Sequence, residues 1–336
     1  MSAASPVHAL PPARRMIAVM VLVPVLVGLA LWAFAWPAAR TAPRDLPIGV
    51  AGPPAAAAQV EQRLEQRAGA FDVHRYGDEA TARTAVERRD VYGAVVVTPE
   101  GPRLLTASAA SPAVAGLLRE AVAERFPGGQ QVAVTDVVPA PSADPRGGSL
   151  AASVLPLSLA GIAAGAMVTL LGLRGARGAT ALVGAAALVG ITTTAVADSW
   201  LGVLDGPWWG EAGAVTLTAL AAGAAAAALG ALLGRPGIAL GSVLFVLLGN
   251  PFSGAASAPE LLPEPAGTIG QWLPPGAGAQ LLRSVAYFDG HGAGGAMLTL
   301  SLWAVLGLAA VLLAGRRTFS PAAPAEHRGA TALPVG

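Results

Sequence analysis

MIAVMVLVPVLVGLALWAFAW, residues Met16 to Trp36, contains no charged side chain and has the length of a membrane span. About 20 predominantly apolar residues carry a helix across roughly 30 Å of hydrocarbon. Arg14 and Arg15 stand directly before the run, and Trp32, Phe34 and Trp36 close it as an interfacial belt. Five further apolar runs begin near Leu150, Thr180, Ala212, Gly237 and Gly295. Together they predict a polytopic α-helical membrane protein: six transmembrane helices with an extracytoplasmic α/β domain between helices 1 and 2. The expected spans are 16–37, 150–173, 180–203, 212–234, 237–250 and 295–315.

Composition supports that class. Hydrophobic residues make up 54% of the chain and charged residues 12%, against about 25% charged in a typical soluble domain. Mean hydropathy is +0.59. A net charge of +1 supplies no bulk field for nucleic acid, so no nucleic-acid partner is expected; the partner is the lipid bilayer. Every basic residue is arginine, which with abundant Ala, Gly and Pro suggests a GC-rich bacterial genome. Cysteine is absent, which excludes disulfides and thiolate metal sites.

The arginines orient the chain by where they fall. Arg14 and Arg15 precede the first run, Arg174 and Arg177 follow the second, Arg235 follows the fourth, and Arg316 and Arg317 follow the sixth. With a cytoplasmic amino terminus all of them lie on the inner side, as the positive-inside rule expects. Arg40, Arg44 and Arg146 fall on the other side. The expectation is a multi-pass protein of the bacterial cell membrane with both termini cytoplasmic: a tail over 1–15 and a disordered tail over 318–336. Ala33-Phe34-Ala35 resembles a signal-peptidase site, so a cleaved signal is the alternative for the first run. Signal h-regions are only about 7–15 residues long, which favours a retained anchor.

Residues 38–148 are polar and read as an α/β domain of ordinary size. Strands are predicted at Leu46 to Ala51, Phe71 to Tyr76, Tyr92 to Val97, Arg103 to Ser108 and Gln131 to Val138. Helices are predicted from Pro54 to Arg67, from Asp78 to Arg89 with Asp78 as cap, and from Pro112 to near Phe126. Gly49 with Gly52 is only a fragment of a phosphate loop. Asp72, His74 and Arg75 read as exposed strand positions rather than a catalytic group.

The five-helix membrane domain over 149–317 is rich in Ala and Gly. Gly161 with Gly165, and Gly230 with Gly234, have the small-xxx-small spacing of close helix packing. No ladder of acids and histidines crosses it, which argues against a proton- or sodium-coupled pump. The most specific stretch is the outer broken segment 251–294, opened by Asn250-Pro251 and interrupted by further prolines. It reads either as an ordered outer loop of short amphipathic pieces or as a lid over a path between subunits. Asn250, Pro251, Glu260, Pro263, Trp272, Pro274 and Arg283 are its candidate shaping residues, with no catalytic, cofactor or metal site expected.

The Leu46-Pro47-Ile48-Gly49-Val50 opening, the Asp90-Val91-Tyr92-Gly93-Ala94 step, and the run from Glu260-Leu261-Leu262-Pro263 through Trp272-Leu273-Pro274 to Leu282-Arg283 resemble the membrane subunits of ABC-2-type transporters. Within that family they are most similar to the subgroup related to phage infection proteins. The resemblance implies one helix, a large outer domain and five more helices, working as a homodimer or paired permease beside a separate cytoplasmic ATPase. The chain carries no Gly-x-x-x-x-Gly-Lys motif of its own. The favoured expectation is the permease subunit of an exporter and not an enzyme. The alternative is a non-transporting scaffold or surface receptor acting through its extracytoplasmic domain.

Overall fold

The computed structural model describes residues 12–125 and 132–316. Helix α1 (Pro12–Ala39) runs on through Pro24 and Pro37. Its apolar side chains point outward all round, which suits a helix surrounded by hydrocarbon. Packing is concentrated at its far end, where Trp36 meets Phe252 edge to face at 6.2 Å.

The chain then alternates strand and helix: β1 (Leu46–Ala51), α2 (Pro54–Glu65), β2 (Phe71–Tyr76), α3 (Glu79–Glu87), β3 (Gly93–Thr98), β4 (Gly101–Thr106), α4 (Pro112–Arg125) and β5 (Ala133–Asp136). They build one sheet in the order β2-β1-β3-β4-β5, parallel except for the β3–β4 pair. A helix separates each parallel pair in sequence, while the tight turn at Glu100 closes the antiparallel hairpin, as the two connection types require. Asp78 caps α3 by accepting the Thr81 N–H at 2.8 Å. The predicted last strand, 131–138, contracts to Ala133–Asp136, with Gln131 and Phe126 outside the described residues.

Next come α5 (Gly148–Leu170), α6 (Gly175–Thr194, continuing as a π-helix to Trp200), α7 (Trp208–Leu233), α8 (Arg235–Ser242, continuing as a π-helix to Gly249), α9 (Ala266–Trp272), α10 (Pro274–Tyr287) and α11 (Gly294–Arg316). Helix α7 is the axis, with α5, α6, α10 and α11 packed around it. Small residues make this possible. A Cβ on Gly161 would stand 2.8 Å from the Ala219 carbonyl oxygen, and one on Gly190 would stand 2.5 Å from that of Ala212. In lipid, where apolar burial drives little, such backbone approach is what holds helices together.

Two segments need closer description. Among the described residues five helices, not six, are long and apolar enough to cross a membrane. The segment predicted as a fifth span over 237–250 is the fifteen-residue helix Arg235–Gly249, which rises roughly 22 Å. It starts at the bundle end that carries Arg174, where Ile238 lies, and stops where Gly249 meets Pro275 in the first turn of α10. Within the segment 251–294, α10 does not lie on the surface. Eleven of the fourteen α10 residues are buried, wedged between α5, α7 and α11. Leu273 and Pro274 separate α9 from α10, because proline cannot continue the hydrogen bonding of the preceding helix.

The same segment supplies side chains to both faces of the sheet. Phe288 joins Val86, Val91 and Leu105 on one face, and Ala258 and Leu261 join Leu46, Ile48 and Leu104 on the other. The α/β domain is therefore docked on the bundle through shared hydrophobic cores rather than hung from a tether.

Candidate functional site

Beneath the sheet domain, where α3 and β3 meet α9, α10 and the start of α11, lies a cavity of about 400 Å³. Arg89, Tyr92, Glu260, Gln271, Trp272 and Gln280 give it its chemical character. Arg89 reaches it because the chain reverses after α3 with Arg89 at φ 61°, a conformation that favours glycine over arginine. Its Nη1 donates to Ser284 Oγ at 2.6 Å, and its Nη2 donates to Gln280 Oε1 at 2.5 Å. The guanidinium also lies 5.3 Å from the centre of the Phe288 ring. Burial pulls its pKa down, partly offset by Tyr92 and Glu260.

Tyr92 donates its hydroxyl to Glu260 Oε2 at 2.8 Å. Burial, reinforced by the Glu260 charge, pushes the Tyr92 hydroxyl well above its usual range, so it acts as a donor and not as a base. Glu260 sits in the 3₁₀ turn Pro259–Leu261, which ties down the exit from α1 as well. Its carbonyl accepts the Arg44 N–H at 2.9 Å, and the Leu261 carbonyl accepts the Ala42 N–H at 3.1 Å and Arg44 Nη1 at 3.1 Å.

Arg283, fully within α10, donates Nη2 to the Ala255 carbonyl at 2.8 Å. Burial, with the Arg89 charge adding to it, draws its pKa down to about 10, so it stays cationic at neutral pH. Arg283 Nη1 and Gln280 Nε2 are both buried without a protein acceptor. Each such donor left unpaired costs about 1–3 kcal/mol. The cavity wall mixes the Arg89 guanidinium and the Gln271 and Gln280 amides with the carboxylates of Glu260 and, at its edge, the exposed Asp90. Among the described residues no three His, Cys, Asp or Glu side chains gather as a metal site would need.

The candidate shaping residues divide. Glu260 and Trp272 line the cavity, and Arg283 lies close enough to influence Arg89. Asn250 ends the π-helix and its carbonyl accepts the Ser253 hydroxyl at 2.7 Å. Pro251 follows it in a turn. Pro263 is buried and accepts the Ala266 N–H at 2.8 Å, and Pro274 opens α10. Trp272 is 71% exposed, and its carbonyl accepts the Trp303 indole N–H at 2.8 Å. Arg89, Gln280 and Ser284 are additional site residues. The Arg88-Arg89-Asp90 run before a strand was the one available signal, but its partners lie 191 and 195 residues away. Outside the cavity, His74 pairs with Asp72 at 3.1 Å on the edge strand β2, and both are exposed. His291 Nδ1 lies 2.8 Å from the Phe288 carbonyl within a turn.

No protein-family model, curated protein or solved structure matches the chain. What the fold itself defines is a multi-helix protein of membrane type carrying a small sheet domain.

Proposed function

We propose that the chain is the membrane-spanning permease subunit of an ABC-2-type exporter, working as a dimer with a separate cytoplasmic ATPase. The junction cavity would be its outer vestibule. The carrying observation is α10, buried in the bundle, while Phe288 just after it and Ala258 and Leu261 before it enter the cores of the sheet domain. Movement of the bundle would then be felt in a cavity lined by Arg89, Glu260 and Gln280. In this reading the chain makes six crossings of the cell membrane, the fifth by the short helix Arg235–Gly249, with the sheet domain outside and both termini inside. The chain does no chemistry itself; the ATPase supplies the energy. Purification of the full chain from native membranes in mild detergent tests this. A co-purifying ATPase whose turnover rises on reconstitution is the expected result, and a pure homomer indifferent to nucleotide overturns it.

One observation favours a second reading, a membrane-anchored scaffold or receptor acting through the sheet domain. At the end remote from the sheet, α5 and α6 are joined by the turn 171–174 and α7 and α8 by Gly234. These turns offer an ATPase little surface. If this reading holds, deleting residues 40–148 abolishes the phenotype while substitutions within α7 leave it intact.

A further inference from the structure

At the end of the bundle remote from the sheet, a second cavity of about 690 Å³ opens between the ends of α5, α7 and α11 and the start of α8. It falls within the range of roughly 300–1,000 Å³ typical of small-molecule sites. Its depth comes from small side chains: Ala227, Gly230 and Ala231 on α7 face Ala310 and Ala314 on α11. Its one interior hydroxyl, that of Thr169, already donates to the Gly165 carbonyl at 2.9 Å. The interior therefore has little to offer a polar ligand. Leu170, Leu232 and Leu313 line it and are exposed, so the opening is itself apolar.

The mouth is different. Arg174 and Arg235 both border the cavity and both are exposed. Among the described residues neither side chain makes an ion pair or hydrogen bond. Arg177 lies in the first turn of α6 close by. No Asp or Glu occurs between Asp144 and Asp198, between Glu211 and Glu260, or between Asp289 and Arg316, so no described acid balances this end. A deep apolar slot with uncompensated guanidinium groups at its rim is complementary to an amphiphile with an acidic head.

From this we infer that the cavity is a binding site for an anionic phospholipid, with an acyl chain in the slot and the phosphate at Arg174 and Arg235. Basic pockets between membrane helices recognise acidic lipid headgroups in this way, because guanidinium groups pair with phosphate oxygens. The inference is independent of the transport reading, since it uses only the inner ends of the helices.

Native mass spectrometry of the full chain in mild detergent tests it, with phosphatidylglycerol and phosphatidylcholine of identical acyl chains titrated separately. The unmodified chain should retain phosphatidylglycerol preferentially. Each of Arg174→Gln and Arg235→Gln should weaken that binding roughly fivefold, and the pair roughly thirtyfold, with phosphatidylcholine little changed. Ala310→Leu should reduce retention of both lipids by shortening the slot. Should the double variant not fold, either single variant decides the question. Equal retention of the two lipids, or a preference untouched by the arginine substitutions, overturns the assignment. Displacement of phosphatidylglycerol by millimolar inorganic phosphate also overturns it, in favour of a simple anion site.

Discussion

Tyr92 and Glu260, 168 residues apart in sequence, are joined by a 2.8 Å hydrogen bond that links the sheet domain to the turn before α9. Glu260 is held from two directions, by the Tyr92 hydroxyl at its side chain and by the Arg44 N–H at its carbonyl. Tyr92→Phe removes one donor and leaves a partly buried carboxylate short of a partner, at a cost of about 1–3 kcal/mol. Glu260→Gln retains an acceptor and should cost less. Thermal unfolding of the full chain in detergent, run as a double-mutant cycle, should give a coupling energy of at least about 0.5 kcal/mol. Additive effects would mean the pair does not hold the domain in place.

Arg89 combines an unfavourable backbone with favourable contacts, and the two can be separated. Arg89→Ala loses the bonds to Ser284 and Gln280 but keeps a residue that resists φ 61°. Arg89→Gly loses the same bonds and accepts that conformation freely. The glycine variant should therefore be the more stable by about 1 kcal/mol, although both fall below the unmodified chain. Melting temperatures of the three proteins in one detergent check the order; alanine equal to or better than glycine would show that the positive φ carries no strain.

Asp78 sets an acid limb for the sheet domain. Its bonds from the Thr81 N–H and hydroxyl hold its carboxyl below the ordinary aspartate range. A pKa lowered by folding contributes stability that is complete above the unfolded value, about 3.9, and is lost as pH falls through the lower folded value. Asp78→Asn keeps an acceptor for the cap but cannot titrate. Its unfolding curve should lose less stability than the unmodified chain below about pH 4. Parallel acid limbs would show that the cap does not contribute to the pH dependence.

The local part of this fold was legible. A short strand-like run marked β1 and alternation marked β2, both residue for residue; Asp78 announced α3, and apolar length marked the long helices, because each signal lies within one element. The glycine spacing at 161 and 165 announced a packing face but not its partner, which is α7. What escaped was everything set by distant contact. Prolines at 259, 263, 274 and 275 suggested a surface loop, yet Ala277, Gly278 and Ala279 let the following helix bury itself against α7. Of the cavity lining, only Glu260 and Trp272 were singled out, with Arg283 beside it, since Arg89 and Gln280 acquire meaning only when the two halves of the chain meet.

Close packing along α7 makes a direct prediction for Gly161. Its Cβ position lies 2.8 Å from both the Ala219 carbonyl oxygen and the Ala222 Cβ, so no larger side chain fits without separating α5 from α7. Gly161→Val should destabilise the bundle by about 1–3 kcal/mol through overpacking. Gly213 and Gly184, which face open space, serve as controls where the same substitution should be nearly silent. Size-exclusion profiles and thermal unfolding in detergent give the comparison.

Because the chain has no cysteine, its orientation can be read with single introduced thiols and no background. Glu100 lies in the exposed β3–β4 turn and Ala176 is exposed at the start of α6, at opposite ends of the molecule. With the arginine-bearing end inside, a membrane-impermeant maleimide should label Glu100→Cys in intact cells and Ala176→Cys only after permeabilisation. The reverse pattern would place Arg174, Arg235 and Arg316 outside and the sheet domain in the cytosol. An outer vestibule at Arg89 would then be impossible, whereas the lipid site at Arg174 and Arg235 would remain, facing the other leaflet.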